Sequence, residues 1–359
     1  MSWLQRIEDY ISPKAIKYIG GQEHMAIQLD ITNACNLRCA HCYHSHHKNN
    51  GALDLNGWFE VLDQYEEFLK KLKLKPSIVL CGGEPTISPY LHPILKKLNE
   101  KWDRPPVSIL TNGTKLNDKL LKNLEPYNIV FQVSLDGPDA KRHDAVRGEG
   151  NFDKAVAGAK LAAQYGIKTD ILAVLSQKTS SWIPEFFEMA KEHDFAAMNF
   201  TRFIPQGYGE DLKNKGLDRS LYGIELRDAL IKIISLSRKH AITTHSDLPL
   251  FNLIDPSLGQ NGKFGFQGLV VDYKGNLKVS SRASYVIGNV LEEGLQNLFF
   301  NHPLMKDLRH GNINGCGECM YYSRCGGDRN ISYATTGSFL EKDKGCWIEP
   351  AQENKGKIA

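Results

Sequence analysis

Two observations predict an α/β protein built as an open, partial (β/α)6 barrel followed by a small cysteine-rich domain. From residue 25 to about 205, six short β-branched runs alternate with amphipathic stretches, the pattern of a parallel sheet covered by helices. Eight cysteines fall almost entirely into two groups, one just after the first run and one near the C-terminal end. Six βα units are fewer than the eight that close a full barrel, so the sheet is expected to stay open.

Strands are expected at Met25–Thr32, Ser77–Leu80, Val107–Leu110, Ile129–Leu135, Thr169–Leu175 and Met198–Ile204. Between them Trp58, Leu62, Tyr65, Leu69 and Leu72 recur at helical spacing, as do Phe152, Val156, Ala159 and Ala163. The basic run Lys70–Lys75 is the wet end of the first of these helices. Pro184, behind Ser180 and Ser181, opens another helix with Phe186, Phe187 and Ala190 on its inner face. Residues 206–219 are polar and glycine-rich, either a plain connector or a substrate-facing lid. Leu221–His240 reads as a helix, Gly268–Ser281 as a hairpin turning at Lys274-Gly275-Asn276, and Leu291–Phe300 as a short helix. The division that follows is an N-terminal extension (1–24), the barrel (25–219), a bridging helix and linker (220–265), the cysteine-rich domain (266–350) and a tail (351–359).

Composition narrows the function classes. Apolar and charged fractions of 42% and 24% are those of an ordinary globular protein, and a net charge of +3 without a basic stripe gives no sign of a nucleic-acid partner. With no apolar run near twenty residues and no signal peptide, the expected location is the cytoplasm, with no membrane partner. Disulfides are rare in that reducing compartment, so the cysteines point to metal binding or catalysis.

The unusual residues fall at the C-terminal ends of the strands, where parallel barrels carry their active sites. Cys35-x3-Cys39-x2-Cys42 follows the first strand, and Gly82-Gly83-Glu84-Pro85 the second. Thr111-Asn112-Gly113 follows the third, Ser134 and Asp136-Gly137 end the fourth, Leu175 ends the fifth, and Arg202 marks the sixth. Three thiolates are one too few for a closed four-cysteine iron–sulfur site, so a cluster held by Cys35, Cys39 and Cys42 keeps one iron open. The competing reading is a zinc site completed by His41, His44, His46 or His47, which the spacing and the rim motifs weigh against. In the tail, Cys316, Cys319, Cys325 and Cys346 supply a full set of four thiolates, for zinc or for iron–sulfur. Cys81 is left over and reads as a small apolar core residue.

The segment ITNACNLRCAHCYH resembles the signature of the radical S-adenosylmethionine (SAM) enzymes, whose barrel is a partial TIM-like one. The tail CGECMYYSRCGGDRNISYATTGSFLEKDKGCW resembles the SPASM extension with which such enzymes hold auxiliary clusters, and Gly288-Asn289-Val290 matches it too. The resemblance implies a 4Fe-4S cluster on Cys35, Cys39 and Cys42 that chelates SAM through its free iron and cleaves it to a 5′-deoxyadenosyl radical. It also implies SAM contacts from Gly82, Gly83 and Glu84 at the amino group, from Ser134 with Asp136 nearby, and from Arg147 at the carboxylate. Asn112 and Leu175 complete the expected cofactor-binding set.

The departures from the family are informative. Ser280 or Ser281 stands where the hairpin's cysteine should be, and Arg329 where a cysteine normally follows Cys325 by four. Both losses fall on the auxiliary cluster nearer the active site, so one auxiliary 4Fe-4S cluster is expected, closed by Cys316, Cys319, Cys325 and Cys346. With Cys81 in the core no thiol remains as a hydrogen-atom donor, which disfavours epimerisation. Sulfatase-type maturation usually goes with two auxiliary clusters. Net oxidation remains, giving a C–C or C–heteroatom crosslink such as a cyclophane in a ribosomal precursor peptide. The expected partners are that peptide, a flavodoxin- or ferredoxin-type reductant and a separate leader-peptide-binding protein, since only about 24 residues precede the first strand. Two alternatives stay open: an enzyme acting on a small molecule or tetrapyrrole, and a non-catalytic iron–sulfur electron carrier.

Overall fold

The computed structural model describes residues 24–44, 46–245, 249–258 and 268–348. Nearly all of the expected N-terminal extension, the 351–359 tail and part of the linker lie outside the described residues. The strands are β1 (His24–Asp30), β2 (Lys75–Cys81), β3 (Val107–Thr111), β4 (Ile129–Ser134), β5 (Lys168–Leu175), β6 (Met198–Arg202), β7 (Gly268–Val271), β8 (Asn276–Lys278) and β9 (Val286–Asn289). The barrel helices are α1 (Leu55–Leu72), α2 (Leu91–Trp102), α3 (Asp118–Leu124), α4 (Ala140–Arg147), α5 (Asn151–Gln164), α6 (Gln177–Ser180), α7 (Ile183–Glu192) and α8 (Tyr208–Asn214). Beyond them lie α9 (Gly223–His240), α10 (Val290–Glu293), α11 (Leu295–Asn301), α12 (Pro303–His310) and α13 (Arg329–Thr336).

The strands form one sheet in the order β6-β5-β4-β3-β2-β1-β7-β8-β9. β1 to β6 are parallel, in sequence order and not closed into a ring. β7 then pairs parallel to β1, with Ala26 opposite Gly268, and β8 and β9 continue antiparallel. The hairpin that opens the cysteine-rich region therefore extends the barrel's own sheet and covers the β1 edge, which would otherwise offer unpaired backbone groups. Its turn is set by Asp272, whose Oδ1 accepts from the N–H groups of Lys274 and Asn276, while Gly275 takes a left-handed φ of 84°.

Burial follows the periodicity read from the sequence. Along α1, Trp58, Leu62, Tyr65, Leu69 and Leu72 face the core, joined by Val61 and Phe68, and Asp54 caps its N-terminus through Gly57 N–H. Lys70, Lys71, Lys73 and Lys75 are exposed, and α7 starts at Ile183 with Pro184 in its first turn. Two details differ. On α5 the fourth inward residue is Ala162, and Ala163 is exposed, because the 3.6-residue turn carries the face from Ala159 to position 162. The single helix expected over Leu291–Phe300 is two, since Gly294 at φ 79° and ψ 133° breaks it between α10 and α11. α11 packs on α1 through Phe299 and Phe300 against Phe68, and Gln64 bonds Val290 O and Leu295 N–H, fixing the C-terminal region to the barrel. Among the described residues no helix is long and apolar enough to cross a membrane.

Candidate active site

The loop after β1 is held by its own ends. Asn49 Oδ1 accepts from Thr32 Oγ1 and from the N–H groups of Asn33 and Ala34, and Asn33 Nδ2 donates to the carbonyls of His46 and Lys48, all within 2.7–3.2 Å. The loop then lies on the end of β2. Gly83 N–H donates to Thr32 O at 2.7 Å and Glu84 N–H to Ala34 O at 2.9 Å. A Cβ on Gly82 would run into Thr32 O, and one on Gly83 into Ala34 O; Gly82 also sits at φ 129°. The glycine pair is thus required by the close approach of the cysteine loop itself.

Cys35, Cys39 and Cys42 all line one cavity of about 180 Å³ at the C-terminal rim, together with Gly82, Gly83, Glu84, Asn112, Ser134 and Arg147. Five rim segments distant in sequence therefore meet at one place. Burial pushes the thiols up, that of Cys42 to about 11. The Arg147 guanidinium is in thiol contact, with Nη1 3.8 Å from Cys39 Sγ.

Arg147 is itself anchored. Asp136, almost fully buried, accepts from Arg147 Nε at 2.5 Å and His41 Nε2 at 2.7 Å on Oδ2, and from Val174 N–H at 2.7 Å on Oδ1. Burial alone would raise the Asp136 carboxyl, but Arg147 and His41 beside it hold it well below the usual carboxylate range. Asp136 holds Arg147, which lines the cavity. Leu175 is off the cavity wall, buried, with its carbonyl accepting from Phe203 N–H. Glu84 is a strut between β2 and β3: Oε1 accepts from Thr86 N–H, Thr86 Oγ1 and Thr111 Oγ1, and Oε2 from Asn112 N–H at 2.7 Å.

The 206–219 segment contains α8 and is packed on the cysteine loop, with Tyr208 N–H donating to Cys42 O at 2.8 Å. A Cβ on Gly207 would collide with Tyr43 O. Gln28, Tyr43, His44, His47, Cys81 and Arg282 also line the cavity. Cys81 is buried as expected, yet it lies on this wall, 4.0 Å from Tyr43 Oη, and burial pushes its thiol up to about 12. Sequence reading missed His41, which it took only as one of several nearby histidines. Its Nε2 is engaged by Asp136, while Nδ1 is buried and His41 lines the cavity.

Cys316, Cys319, Cys325 and Cys346 line a second cavity of about 500 Å³. The turn from Cys316 to Cys319 closes through Cys319 N–H to Cys316 O, and Gly327 N–H points at Cys325 Sγ from 3.4 Å. Four thiols facing one space, with a backbone N–H directed at a sulfur, fit a closed four-iron cluster. Three thiols beside an arginine fit an open one. The substituted positions are filled otherwise: Ser280 Oγ accepts from Arg282 N–H, Ser281 lines the first cavity, and Arg329 is buried.

Between the cavities stands Arg202, buried at the end of β6. Its Nη1 reaches Asp343 at 2.8 Å and Asp328 at 3.3 Å, and Nη2 donates to Leu221 O. A Cβ on Gly345 would strike the guanidinium, so glycine there admits it. This ion cluster clamps the cysteine-rich tail to the barrel rim.

Residues 29–190 match the radical SAM superfamily. The chain is 28% identical to the mycofactocin maturase of Mycobacterium tuberculosis, over 83% of this chain and 76% of that one. It is 25% identical to the AdoMet-dependent heme synthase of Methanosarcina barkeri, over 91% of this chain and 97% of that one. Its fold superposes on Streptococcus suis SuiB bound to precursor peptide SuiA with a TM-score of 0.69 at 16% identity, covering 92% of this chain and 78% of that one. With the three-cysteine site at the strand ends and the cysteine-rich tail clamped beside it, residues 29–190 of this chain are a domain of the radical SAM superfamily.

Proposed function

We propose that this enzyme oxidatively crosslinks a ribosomally made precursor peptide, joining a side-chain carbon to a neighbouring carbon or heteroatom, as in a cyclophane. The observation that carries the reading is that four cysteines line the second cavity, as many as a closed cluster takes, and such a cluster would be suited to passing electrons and not to holding substrate. When bound, SAM and the three-thiol cluster supply a 5′-deoxyadenosyl radical that takes one hydrogen atom, and the four-thiol cluster supplies an acceptor for the surplus electron. The chain's own residues do the positioning. Arg147, fixed by Asp136, presents a guanidinium beside Cys39 for the SAM carboxylate, and Gly82–Glu84 hold the cysteine loop against the ends of β2 and β3. The substrate would meet other lining residues, among them Tyr43, His44, His47 and Arg282. Net loss from the peptide is two hydrogens: one as an atom, one as a proton with its electron leaving through the auxiliary site.

The 28% identical mycofactocin maturase supports peptide modification, and a flavodoxin- or ferredoxin-type reductant and a separate leader-binding protein complete the proposal. A second reading, a tetrapyrrole substrate, is favoured by the heme synthase relative, which this chain matches over 97% of that protein's length. Reconstituted enzyme, SAM and dithionite, incubated in D2O with the short peptide encoded beside its gene, separate the readings by mass spectrometry. Loss of two hydrogens supports crosslinking. Deuterium uptake without mass loss would point to Cys81 as a hydrogen donor and epimerisation. An unchanged peptide with decarboxylation of an added iron porphyrin would transfer the case to the tetrapyrrole.

A further inference from the structure

The position four residues after Cys325 is taken by Arg329, the first residue of α13. It is fully buried and turned toward the four-thiol cavity: Nη2 donates to Cys316 Sγ at 3.5 Å, and Nη1 to the carbonyls of Phe339 at 2.9 Å and Glu341 at 2.6 Å. Gly327, at φ +72°, makes room for it. A Cβ there would collide with Nη2 of Arg329 and lie 3.4 Å from Cys316 Sγ. The neighbouring Asp328 turns the other way, to Arg202. The Arg329 guanidinium thus donates to two backbone carbonyls and a thiol sulfur, all uncharged. A buried cation without a counter-charge is strongly destabilising. A thiolate at Cys316, as in a set that carries a cluster, would place negative charge directly on its donor face.

We infer that Arg329 is a positioning residue that serves as counter-charge to the auxiliary cluster, hydrogen-bonding the Cys316 sulfur and raising the cluster's reduction potential. The inference rests on the auxiliary-cluster assignment of the proposed function. Reduction adds one electron from the donor and no proton, so the cluster gains one unit of negative charge. A fixed guanidinium with a hydrogen bond to a ligand sulfur favours that more negative state, since net charge and hydrogen bonds to sulfur set such potentials. The substitution that removed a ligand from one cluster thus supplies a cation to the other, and it fits the tail for accepting an electron.

The test uses the full-length chain, anaerobically reconstituted, with Cys35, Cys39 and Cys42 changed to Ala so that only the tail contributes signal. Iron and sulfide content and an EPR-monitored redox titration are compared for Arg329, Arg329→Lys and Arg329→Met. The expected result is an iron-loaded Arg329→Met whose reduction equilibrium is at least tenfold less favourable, a drop of about 59 mV for one electron, with Arg329→Lys close to the parent. Loss of iron from Arg329→Met alone would support the same need for charge. An unchanged potential in iron-loaded Arg329→Met would overturn the inference, as would equal effects of the two substitutions on potential or on iron content. A parent tail that takes up zinc and no iron would instead overturn the cluster assignment beneath it.

Discussion

Asp136→Asn tests whether the active-site arginine is held by a buried charge. The carboxylate takes three donors, from Arg147, His41 and Val174, and is 1% exposed. Asparagine keeps the volume but offers one acceptor oxygen, so its amide N–H2 must face either the Val174 N–H or the Arg147–His41 pair. Arg147, only 11% exposed in its side chain, then loses its counter-ion. Breaking a buried pair from one side costs about 3–5 kcal/mol. The pH dependence has a definite sign. The folded-state pKa is depressed, so the stabilisation is complete above the unfolded value of about 3.9 and drains as pH falls toward the folded one. Each pH unit below about 3.9 should therefore remove about 1.4 kcal/mol of the parent's advantage. Urea unfolding of the cluster-free full chain at pH 7, 4 and 3 measures this, given comparable slopes in the two proteins. A deficit below about 1 kcal/mol at pH 7, or one that does not shrink between pH 4 and 3, would refute the reasoning.

Three further outcomes follow from the geometry. Gly82→Ala places a Cβ on Thr32 O at a backbone φ of 129°, so the cysteine loop must lift; iron analysis should show the three-thiol site emptied and the tail still loaded. Arg202→Met leaves Asp328 and Asp343 buried without their cation, a cost of about 3–5 kcal/mol, and should make the tail susceptible to proteolysis before the barrel unfolds. Changing Cys35, Cys39 and Cys42 together to Ala should abolish 5′-deoxyadenosine formation in a dithionite assay, and activity that survives would contradict the placement of the open site.

What could be read in the sequence is what chemistry or periodicity fixes locally. The six parallel strands and the inward stripe of α1 follow from residue type and spacing, and so do the two thiol sets. The β1–β7 pairing does not, because β7 joins the sheet across some two hundred intervening residues and nothing in Gly268–Val271 names its partner. The same holds for His41 and Asp136, which lie 95 positions apart in the chain. The glycine pair was legible as a site of close approach, but its neighbour is protein backbone. That distinction needs the path of the loop. Cys81 shows the limit most plainly, since a buried strand residue and a cavity-wall residue have the same sequence signature.

The cations follow one logic. Closely spaced cysteines announce themselves in a sequence, whereas a buried cation near them can come from any element that reaches the site. Arg147 arrives from the end of α4, Arg202 from β6 and Arg329 from α13. Arg202 and Arg329 are buried and Arg147 nearly so, and each is positioned by other groups: Asp136 for Arg147, Asp328 and Asp343 for Arg202, two backbone carbonyls for Arg329. Asp328 lies three residues after Cys325, and Asp343 three before Cys346, so the clamp on Arg202 also fixes the segments that carry two of the tail's thiols. Arg202 itself lines the first cavity. One buried guanidinium therefore ties the wall of the first cavity to the segments that carry two cysteines of the second, and a rigid link of that kind holds the two cavities at a constant separation where flexible loops would not.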